Sequence, residues 1–510
     1  MLLNNFFEQT AAASPGKTAL VCEGCHHTYA QIRDQVERLA AFLQARGVMR
    51  GDRVAIFLDN SLEAVVSVFA TLRIGAAFML VNPQTKTDKL AYILNDARPT
   101  AFIAQASLRM VYAPAAAQAP SLHTVVTVGE PAVDENDQRF ARFAEALVDA
   151  PVTVRDSGTI DQDLAAIIYT SGSTGDPKGV MLTHLNMVTA CTSVSTYLGL
   201  RADDRILCVL PLAFDYGLYQ VLMAFKFGAS VVLEKSFAFP VKILEVMARE
   251  RVTVFPGVPT VFSMLMGLNM LSKCDLAALR MITNTAAALS EQHIQDLRRL
   301  FPQAQLFSMY GLTECKRVTY LPPEQLDSRP ISVGRGMPNE EVWLVDDAGN
   351  RLPNGSTGEL VIRGSHVMRG YWEKPEETAK RLKPGPLPGE MMLYSGDIFR
   401  TDEEGYLYFV ARKDDVIKSR GEKVSPREVE NVLYSLEGVQ EAAVVGVPDP
   451  ILGQAVKAFI ALRPGYSYNE RDIIKYCLAR LENFMAPKHV VFVDALPKTD
   501  TGKIKKTGLV

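Results

Sequence analysis

Residues 169–179 read YTSGSTGDPKG, and this short segment decides how the rest of the chain is interpreted. An apolar run, Leu164–Ile168, comes directly before it and has the composition of a buried strand. Glycines allow backbone N–H groups to turn toward one point, the serine and threonine hydroxyls donate hydrogen bonds, and Lys178 adds positive charge. Because these groups together suit a polyphosphate, the segment predicts a phosphate-binding loop at the end of a strand.

The loop is not of the Walker A type, because the spacing G-x-x-x-x-G-K-[ST] cannot be laid on it. A loop of small residues also has a plainer interpretation, which is a flexible surface connection without a ligand. The sequence on both sides of the loop has to decide between the two.

Upstream, helices and strands alternate. Thr28 and Gln31 have the spacing of a capping box, and the apolar residues that follow repeat with a helical period to about Arg46. The next patterns are those of a strand, a helix and a strand, at 53–58, 62–73 and 77–81. Because the alternation continues to about residue 320, the sequence predicts an α/β fold with largely parallel sheets.

The chain changes character after this region. Residues 333–409 are rich in glycine and proline and contain short alternating strands, which predicts a β-rich subdomain. A charged stretch around 412–415 follows and marks a domain boundary. We therefore expect a large N-terminal domain at 1–412, built of α/β sheets and the β-rich subdomain, and a small mobile C-terminal domain at 413–510.

The C-terminal unit reads as α+β. Its first helix begins at Ser425 and Pro426, and Glu428 stands where it would complete a second capping box. Further strands and one helix are expected, the strands at 442–447, 456–462 and 490–493 and the helix at 469–481.

Composition excludes several classes of protein. The 510 residues are 48% hydrophobic and 22% charged, and a net charge of −3 gives no reason to expect nucleic acid or an acidic membrane as a partner. Seven cysteines are too few for a disulfide scaffold, so a reducing, cytoplasmic setting is expected.

The most apolar stretch, 206–225, carries Asp215 at its centre, and a charge at mid-bilayer costs at least ~2.5 kcal/mol. We interpret the stretch as a buried strand, a loop and a helix, without integral membrane association.

Four other segments accompany the phosphate loop in a fixed order: Tyr310–Glu314 (YGLTE), Tyr394–Asp397 (YSGD), Arg412–Gly421 (RKDDVIKSRG) and Pro497–Lys503 (PKTDTGK). With the loop, they resemble the motifs of the adenylate-forming superfamily, which comprises acyl-CoA synthetases, the adenylation domains of nonribosomal peptide synthetases and beetle luciferases. The resemblance spans essentially the whole chain. It implies that a carboxylate attacks the α-phosphate of ATP to give an acyl-adenylate and pyrophosphate, and that a thiol then displaces AMP.

The resemblance also implies which residues bind the nucleotide. They are Thr170, Ser171, Gly172, Ser173, Thr174, Gly175, Lys178, Tyr310, Gly311, Thr313, Asp397, Arg412 and Lys503. Glu314 would hold Mg²⁺, a hard cation that prefers carboxylate and phosphate oxygens. Lys503 would bridge the carboxylate and the α-phosphate, and Thr170, Lys178 and Glu314 would act with it in catalysis. The alternative for Lys503 is a solvated tail lysine, which we expect of Lys505 and Lys506.

Two further positions would serve the second half-reaction. Asp414 matches the hinge about which the small domain swings, and its alternative is an ordinary linker acid. Gly421 matches a glycine that lets the pantetheine arm of the thiol pass close to the backbone. The resemblance therefore implies CoA as the acceptor, with the phosphopantetheine of a carrier protein as the alternative.

The acyl pocket departs from the commonest pattern of the family. The substrate-binding positions implied by the resemblance are Asp215, Tyr216, Gly257, Asn284, Thr285 and Ala286. Asp215 has two interpretations: it holds the ammonium of an amino acid, or it caps the helix that begins near Tyr216. Cys315, Lys316 and Arg317 are unusual after the YGLTE segment, and they leave the class of acid open.

The sequence as a whole predicts an ATP-dependent, AMP-forming acid–thiol ligase that takes a small-molecule carboxylic acid, a fatty acid among the candidates, and acts as a monomer or homodimer. A stand-alone enzyme that loads a carrier protein is the alternative within enzymes, and a non-catalytic nucleotide-binding protein is the alternative outside them.

The pattern Cys22–His26, C-x-x-C-H, is interpreted as a turn rather than a haem or zinc site.

Overall fold

The computed structural model describes residues 1–130, 137–148, 153–170, 177–268, 274–285, 289–413, 415–419, 422–449, 452–498, 504–506 and 508–509. Its helices are α1 (Asn5–Ala13), α2 (Tyr29–Ala45), α3 (Leu62–Arg73), α4 (Thr87–Ala97), α5 (Arg109–Ala117), α6 (Phe143–Val148), α7 (His184–Leu198), α8 (Asp215–Phe227), α9 (Pro240–Arg249), α10 (Pro259–Met266), α11 (Glu291–Leu300), α12 (Pro375–Arg381), α13 (Pro426–Tyr434) and α14 (Glu470–Leu478).

The strands of the first part of the chain are β1 (Thr18–Cys22), β2 (Cys25–Thr28), β3 (Arg53–Phe57), β4 (Ala77–Leu80), β5 (Ala101–Gln105), β6 (Thr124–Val128), β7 (Phe140–Arg142), β8 (Leu164–Thr170), β9 (Lys178–Thr183), β10 (Arg205–Cys208), β11 (Ser230–Leu233), β12 (Val254–Gly257), β13 (Met281–Asn284), β14 (Gln305–Tyr310), β15 (Thr319–Leu321) and β16 (Arg335–Gly336).

The later strands are β17 (Glu340–Val345), β18 (Thr357–Gly364), β19 (Gly370–Tyr371), β20 (Leu382–Pro384), β21 (Met391–Thr401), β22 (Leu407–Arg412), β23 (Ile417–Ser419), β24 (Glu422–Val424), β25 (Val439–Asp449), β26 (Gly453–Leu462) and β27 (His489–Phe492).

Two largely parallel sheets carry the N-terminal part of the chain. The first has the order β16-β15-β14-β13-β12-β10-β11-β1-β2, and the second has the order β19-β9-β8-β4-β3-β5-β6-β7. In the first sheet the strands from β14 to β1 are parallel to their neighbours, and only the edges are antiparallel. The α/β prediction is confirmed.

A third sheet, β17-β18-β21-β20 with β22 beside β21, forms the expected β-rich region, and its paired strands are antiparallel. A fourth sheet, β24-β23-β26-β25 with β27 beside β26, forms with α13 and α14 the small α+β C-terminal domain.

The apolar stretch at 206–225 forms a strand, a loop and a helix, as predicted. Among the helices of the described residues, none has the length and apolar character needed to cross a membrane.

Local sequence signals explain several helix ends. The Thr28 hydroxyl accepts from the backbone N–H of Gln31, and the Gln31 side chain accepts from the backbone N–H of Thr28, so the first capping box is confirmed. Only half of the second one forms. The Ser425 hydroxyl accepts from the backbone N–H of Glu428, at 3.3 Å, but the Glu428 carboxylate does not return the bond.

The connection between β1 and β2 is a turn at Glu23 and Gly24, both with positive φ. Cys22 is buried and Cys25 is exposed on the two strands of this hairpin. No group of three His, Cys, Asp or Glu side chains suited to a metal ion occurs among the residues that the structure describes.

Gly334 is required by its surroundings as well as by its backbone. Its φ is +87°, and a Cβ atom there would lie 1.7 Å from the carbonyl oxygen of Tyr320. Gly47 has the same φ of +87° but no atom within 4 Å of a Cβ position. Comparing substitutions at the two glycines therefore separates the free-energy cost of the left-handed backbone from the cost of the steric clash.

We expect Gly47→Ala to lower the free energy of unfolding by about 1–2 kcal/mol, because only the left-handed conformation is penalised. Gly334→Ala should cost at least a further ~1–3 kcal/mol, since the backbone at Tyr320 must also move. Thermal and urea unfolding of both variants measures the difference, and equal losses would contradict the clash.

Candidate active site

The phosphate loop connects two antiparallel strands of the second sheet. β8 ends at Thr170 and β9 begins at Lys178, and these two residues are directly paired. Five predicted nucleotide ligands, Ser171, Gly172, Ser173, Thr174 and Gly175, lie outside the described residues. Because Thr170 and Lys178 are paired, the two ends of the loop are held side by side on adjacent strands.

Lys178 is already paired with a carboxylate. Its Nζ forms an ion pair with Glu377 on α12 and lies 5.6 Å from the centre of the Tyr371 ring. Glu377 also pairs with Lys380, and the hydrogen bonds from the two lysines lower the pKa of the Glu377 carboxyl to about 2. Lys178 is thus held in place by an acid that stays ionised at neutral pH.

Glu314 lies close to the same group of residues. The Tyr371 hydroxyl donates to Glu314 Oε1 at 2.7 Å, and the backbone N–H of Met368 donates to the Glu314 carbonyl at 2.7 Å. Tyr371 belongs to β19, which pairs with β9. It therefore contacts both Lys178 and Glu314 and joins the phosphate loop to the YGLTE segment. We call Lys178, Glu314, Tyr371 and Glu377 the phosphate cluster.

Tyr310 and Asp397 meet at the junction between the first and third sheets. The Tyr310 hydroxyl donates to Asp397 Oδ2 at 2.6 Å, and Arg412 Nε lies 3.8 Å from Asp397 Oδ1. Burial raises the pKa of the Asp397 carboxyl, while the Tyr310 hydrogen bond and the Arg412 charge oppose this shift. Asp397 and Arg412 are paired residues of β21 and β22, so the sheet itself holds them together.

The turn that follows Tyr310 is tightly packed. A Cβ atom at Gly311 would lie 2.2 Å from the carbonyl oxygen of Lys316, so only glycine fits there. Thr313 is half-buried in the same turn. The turn between β14 and β15 brings Glu314, Lys316 and the residues beside them to the carboxyl edge of the parallel strands, which is where ligands of such sheets bind.

Asp215 does not cap a helix, so that interpretation is wrong. α8 begins at Asp215 itself, the N-cap residue is Phe214, and no side chain accepts a hydrogen bond there. The Asp215 carboxylate instead forms an ion pair with Lys316, with 3.1 Å between Oδ2 and Nζ. The buried ammonium of Lys316 draws the carboxylate away from the helix end.

Lys316 and Arg317 are the residues that the motif reasoning failed to assign. Lys316 Nζ lies 4.0 Å from the centre of the Tyr219 ring, and Arg317 Cζ lies 4.8 Å from the centre of the Tyr216 ring. Burial lowers the pKa of Lys316 to about 7. We call Asp215, Tyr216, Tyr219, Lys316 and Arg317 the acyl cluster. The one signal in the sequence was the unusual position of two cations after YGLTE.

The other predicted substrate residues lie at the ends of neighbouring strands. The Tyr216 hydroxyl is bonded to the Thr283 carbonyl and hydroxyl oxygens, at 2.8 and 2.7 Å, at the end of β13. Asn284 and Thr285 follow Thr283 and are buried. At Gly257, the end of β12, a Cβ atom would lie 2.5 Å from the Phe262 ring. Ala286 lies outside the described residues.

Three residues predicted to act with the C-terminal domain also lie outside the described residues: Asp414, Gly421 and Lys503. Their neighbours are placed. Lys413 Nζ pairs with Glu359 at 2.9 Å, and Lys498 and Ile504 form an isolated bridge.

The ion pair between Asp215 and Lys316 predicts a specific pattern of stability. Asp215→Ala leaves a buried ammonium without its carboxylate, so it should lower the free energy of unfolding by about 3–5 kcal/mol, rather than the ~1 kcal/mol of a lost cap. Asp215→Ala combined with Lys316→Met should recover most of the loss, because no buried charge remains from the pair. Thermal and urea unfolding at one pH compare the variants. A double variant no more stable than the single one would contradict the pairing.

Comparison with known proteins agrees with this geometry. The family model described as AMP-binding enzyme matches residues 7–372, and that of the AMP-binding enzyme C-terminal domain matches residues 428–503. The chain is 31% identical to a long-chain-fatty-acid–CoA ligase of Bacillus subtilis (strain 168), covering 100% of this chain and 94% of the relative. It is 34% identical to an indoleacetate–CoA ligase of Aromatoleum aromaticum (strain DSM 19018 / LMG 30748 / EbN1), covering 99% and 97%.

A solved structure has the same fold. The crystal structure of an anthranilate CoA ligase in complex with anthranoyl-AMP superposes with a TM-score of 0.92 at 28% identity, covering 100% of this chain and 96% of that one. With two family models that together match most of its length, the chain belongs to the AMP-binding enzyme family.

Proposed function

We propose that this protein is an AMP-forming acyl-CoA synthetase. It activates a carboxylic acid as acyl-AMP with release of pyrophosphate and passes the acyl group to the thiol of CoA. The observation that carries the proposal is the contact of Tyr371 with both Lys178 and Glu314, because it gathers a cation and a carboxylate from two sheets at the end of the phosphate loop. The CoA ligases among its relatives and structural neighbours support the same reaction class.

ATP binding divides between two groups of residues in this proposal. Asp397, held by Tyr310 and Arg412, accepts hydrogen bonds from the ribose hydroxyls. Gly311 and Thr313 border the adenine in the turn after Tyr310. The triphosphate lies along the loop that starts at Thr170 and ends at Lys178, with the hydroxyl and glycine residues 171–175 between them.

Mg²⁺ fits the residues present. Mg²⁺ is held in proteins by one or two carboxylates together with substrate phosphates. Glu314 supplies one carboxylate, of which Oε1 accepts from Tyr371. Thr170 adds a hydroxyl at the start of the loop, which donates to the Lys178 carbonyl at 3.5 Å. When bound with ATP, the ion offsets phosphate charge that would repel an incoming carboxylate. Glu314 and Tyr371 keep a carboxylate oxygen in position for it.

The chemistry consists of two displacements. An oxygen of the acid forms a bond to the α-phosphorus as the bond to pyrophosphate breaks, and Lys503 holds the two anions together. The thiolate sulfur then bonds to the acyl carbon as the carbon–oxygen bond to AMP breaks. We propose that the domain 413–510 turns about Asp414 relative to 1–412 between these steps, and that Gly421 then borders the pantetheine arm.

The acid in this proposal is not an amino acid. The single feature that favoured an amino substrate was the carboxylate of Asp215, and Lys316 already supplies its cation. An ammonium would have to displace a buried partner of the protein itself, which is costly. ATP–pyrophosphate exchange over amino acids and their desamino counterparts tests this, followed by thioester formation with CoA against a carrier protein.

Lys503→Ala should abolish most adenylation while sparing thioester formation from supplied acyl-AMP. The reason is that its charge is needed only where the carboxylate meets the α-phosphate, and loss of such a group costs about 10²–10³ in rate. Lys505→Ala is the matched control, because Lys505 is exposed. Pyrophosphate exchange and CoA transfer are assayed separately. An equal fall in both half-reactions of Lys503→Ala would overturn the role.

Tyr310→Phe should move the acidic limb of the pH profile of adenylation to higher pH. The lost hydrogen bond was lowering the pKa of Asp397, so the carboxylate, the form that accepts from ribose, protonates at a higher pH. A bond of about 1 kcal/mol corresponds to a shift of about one pH unit. Tyr394→Phe is the control, since the Tyr394 ring contacts Lys383 instead. A profile of kcat/KM for ATP that is unchanged in Tyr310→Phe would contradict the coupling.

A further inference from the structure

Arg317 is a fully buried cation without an anionic partner. The residue is 2% exposed, and its Nε is enclosed by the protein without a hydrogen-bond acceptor. Within the described ranges, no carboxylate lies at ion-pair distance from its guanidinium, which lies over the Tyr216 ring and is repelled by the charge of Lys316. Because the guanidinium cannot lose its proton in a protein, burial cannot be relieved by deprotonation.

The nearby acids are all engaged elsewhere. Asp215 pairs with Lys316, and Glu314 Oε1 accepts from Tyr371. Glu340 is buried against His366, with 2.9 Å between Glu340 Oε2 and His366 Nε2, and its Oε1 accepts from the backbone N–H of Met337. Burial raises the pKa of the Glu340 carboxyl well above its usual range. The carboxylate of the acyl cluster is thus taken up by Lys316, and Arg317 is left without a counter-ion among the described residues. A buried charge without a counter-ion is strongly unfavourable, so the site is suited to receive an anion.

The position of Arg317 identifies the kind of ligand. Its guanidinium lies over a ring of α8, whose hydroxyl is fixed by Thr283 at the end of β13. These elements follow the carboxyl ends of β10, β13 and β14, where ligands of parallel sheets bind. The phosphate cluster is a separate set of contacts, through Tyr371. An anion at Arg317 therefore belongs to the acyl part of the substrate rather than to the triphosphate.

We propose that the acid activated by this enzyme carries a second anionic group, away from the reacting carboxyl, and that Arg317 binds it. The substrate class is a dicarboxylic acid, or an acid with another anion in that place. This inference rests on the proposed function. Arginine suits the role because its planar fork binds a carboxylate through two parallel hydrogen bonds, and the Tyr216 ring holds that fork in one orientation.

The test compares matched substrates. Aliphatic and aromatic dicarboxylic acids of increasing length are assayed by ATP–pyrophosphate exchange, each beside its monomethyl ester and the monocarboxylic acid of equal length. The wild-type protein should use at least one diacid better than its ester by about 10- to 100-fold in kcat/KM, the range expected for hydrogen bonds to a charged group. The ester is the control because it keeps the shape and loses the second charge.

Two variants locate the preference. In Arg317→Met the ratio of diacid to ester should fall by about 10- to 100-fold, whereas Arg317→Lys should keep part of it. Melting curves of both variants show whether each is folded. If Arg317→Met does not fold, Arg317→Lys still tests the proposal. This variant keeps the positive charge but loses the planar guanidinium, so kcat/KM should fall more for the diacid than for its ester.

The outcomes separate this inference from the proposed function. Exchange with monocarboxylic acids and esters that equals or exceeds exchange with every diacid overturns the inference and leaves the synthetase activity intact. An equal loss for diacid and ester in Arg317→Met also overturns it, since Arg317 would then hold the reacting carboxylate or the fold. Absence of exchange with every acid would instead count against the proposed function.

Discussion

The hydrogen bond from Tyr371 to Glu314, together with the backbone bond from Met368 to the Glu314 carbonyl, joins the edges of two sheets. Tyr371 lies on a short strand at the edge of the second sheet, beside β9, and Glu314 lies in the turn that leaves β14 of the first sheet. Burial raises the pKa of the Tyr371 hydroxyl far above neutrality, so it remains a donor at any physiological pH. A bond of this kind is worth about 1.5–3 kcal/mol, but its geometric effect is larger, because it fixes the distance between the phosphate loop and Glu314.

Charge is distributed unevenly over the resulting site. In the phosphate cluster, the cation of Lys178 is balanced by Glu377, and Glu314 accepts from Tyr371 through one carboxylate oxygen. In the acyl cluster, Lys316 pairs with Asp215, while Arg317 has no carboxylate at ion-pair distance among the described residues. Such an excess of buried positive charge is not a stabilising feature of an empty protein. The proposal that the acid carries a second anionic group rests on this uncompensated charge.

Local signals let the sequence predict much of this structure. The capping box at Thr28, the strand before the phosphate loop and the alternation to residue 320 all depend on neighbouring residues, and the structure confirms them. The family segments likewise placed Tyr310 and Asp397 in one site before any distance was known, and their hydroxyl and carboxylate are in contact. The nucleotide-binding, metal-binding and catalytic roles of all these residues stay predictions, and the positions 171–175, 414, 421 and 503 lie outside the described residues.

What the sequence could not predict are partnerships between distant side chains. The residues next to Asp215 in the sequence allowed two interpretations, a ligand of a substrate ammonium or a helix cap. Its partner in the structure is Lys316, which lies in the turn between β14 and β15. The capping box at Ser425 is half formed, which its residue spacing alone did not predict. Periodicity and motif spacing carry no information about such pairs, since they arise only when strands β10 and β14 are brought to one edge of the sheet.

The pairing of Lys178 with Glu377 has a consequence for ATP binding. A lysine side chain that is solvated before ATP binds would add its whole attraction to the phosphates to the binding free energy, less the cost of its desolvation. In the proposed role of Lys178 as a phosphate ligand, the ammonium must exchange the ionised Glu377 carboxylate for phosphate oxygens, so its contribution to ATP binding is the difference between the two interactions. Several phosphate oxygens still outweigh one carboxylate, and the displaced Glu377 keeps its bond to Lys380. The lysine is therefore oriented before ATP arrives, which lowers the entropy cost of binding while limiting the affinity that its charge alone could supply.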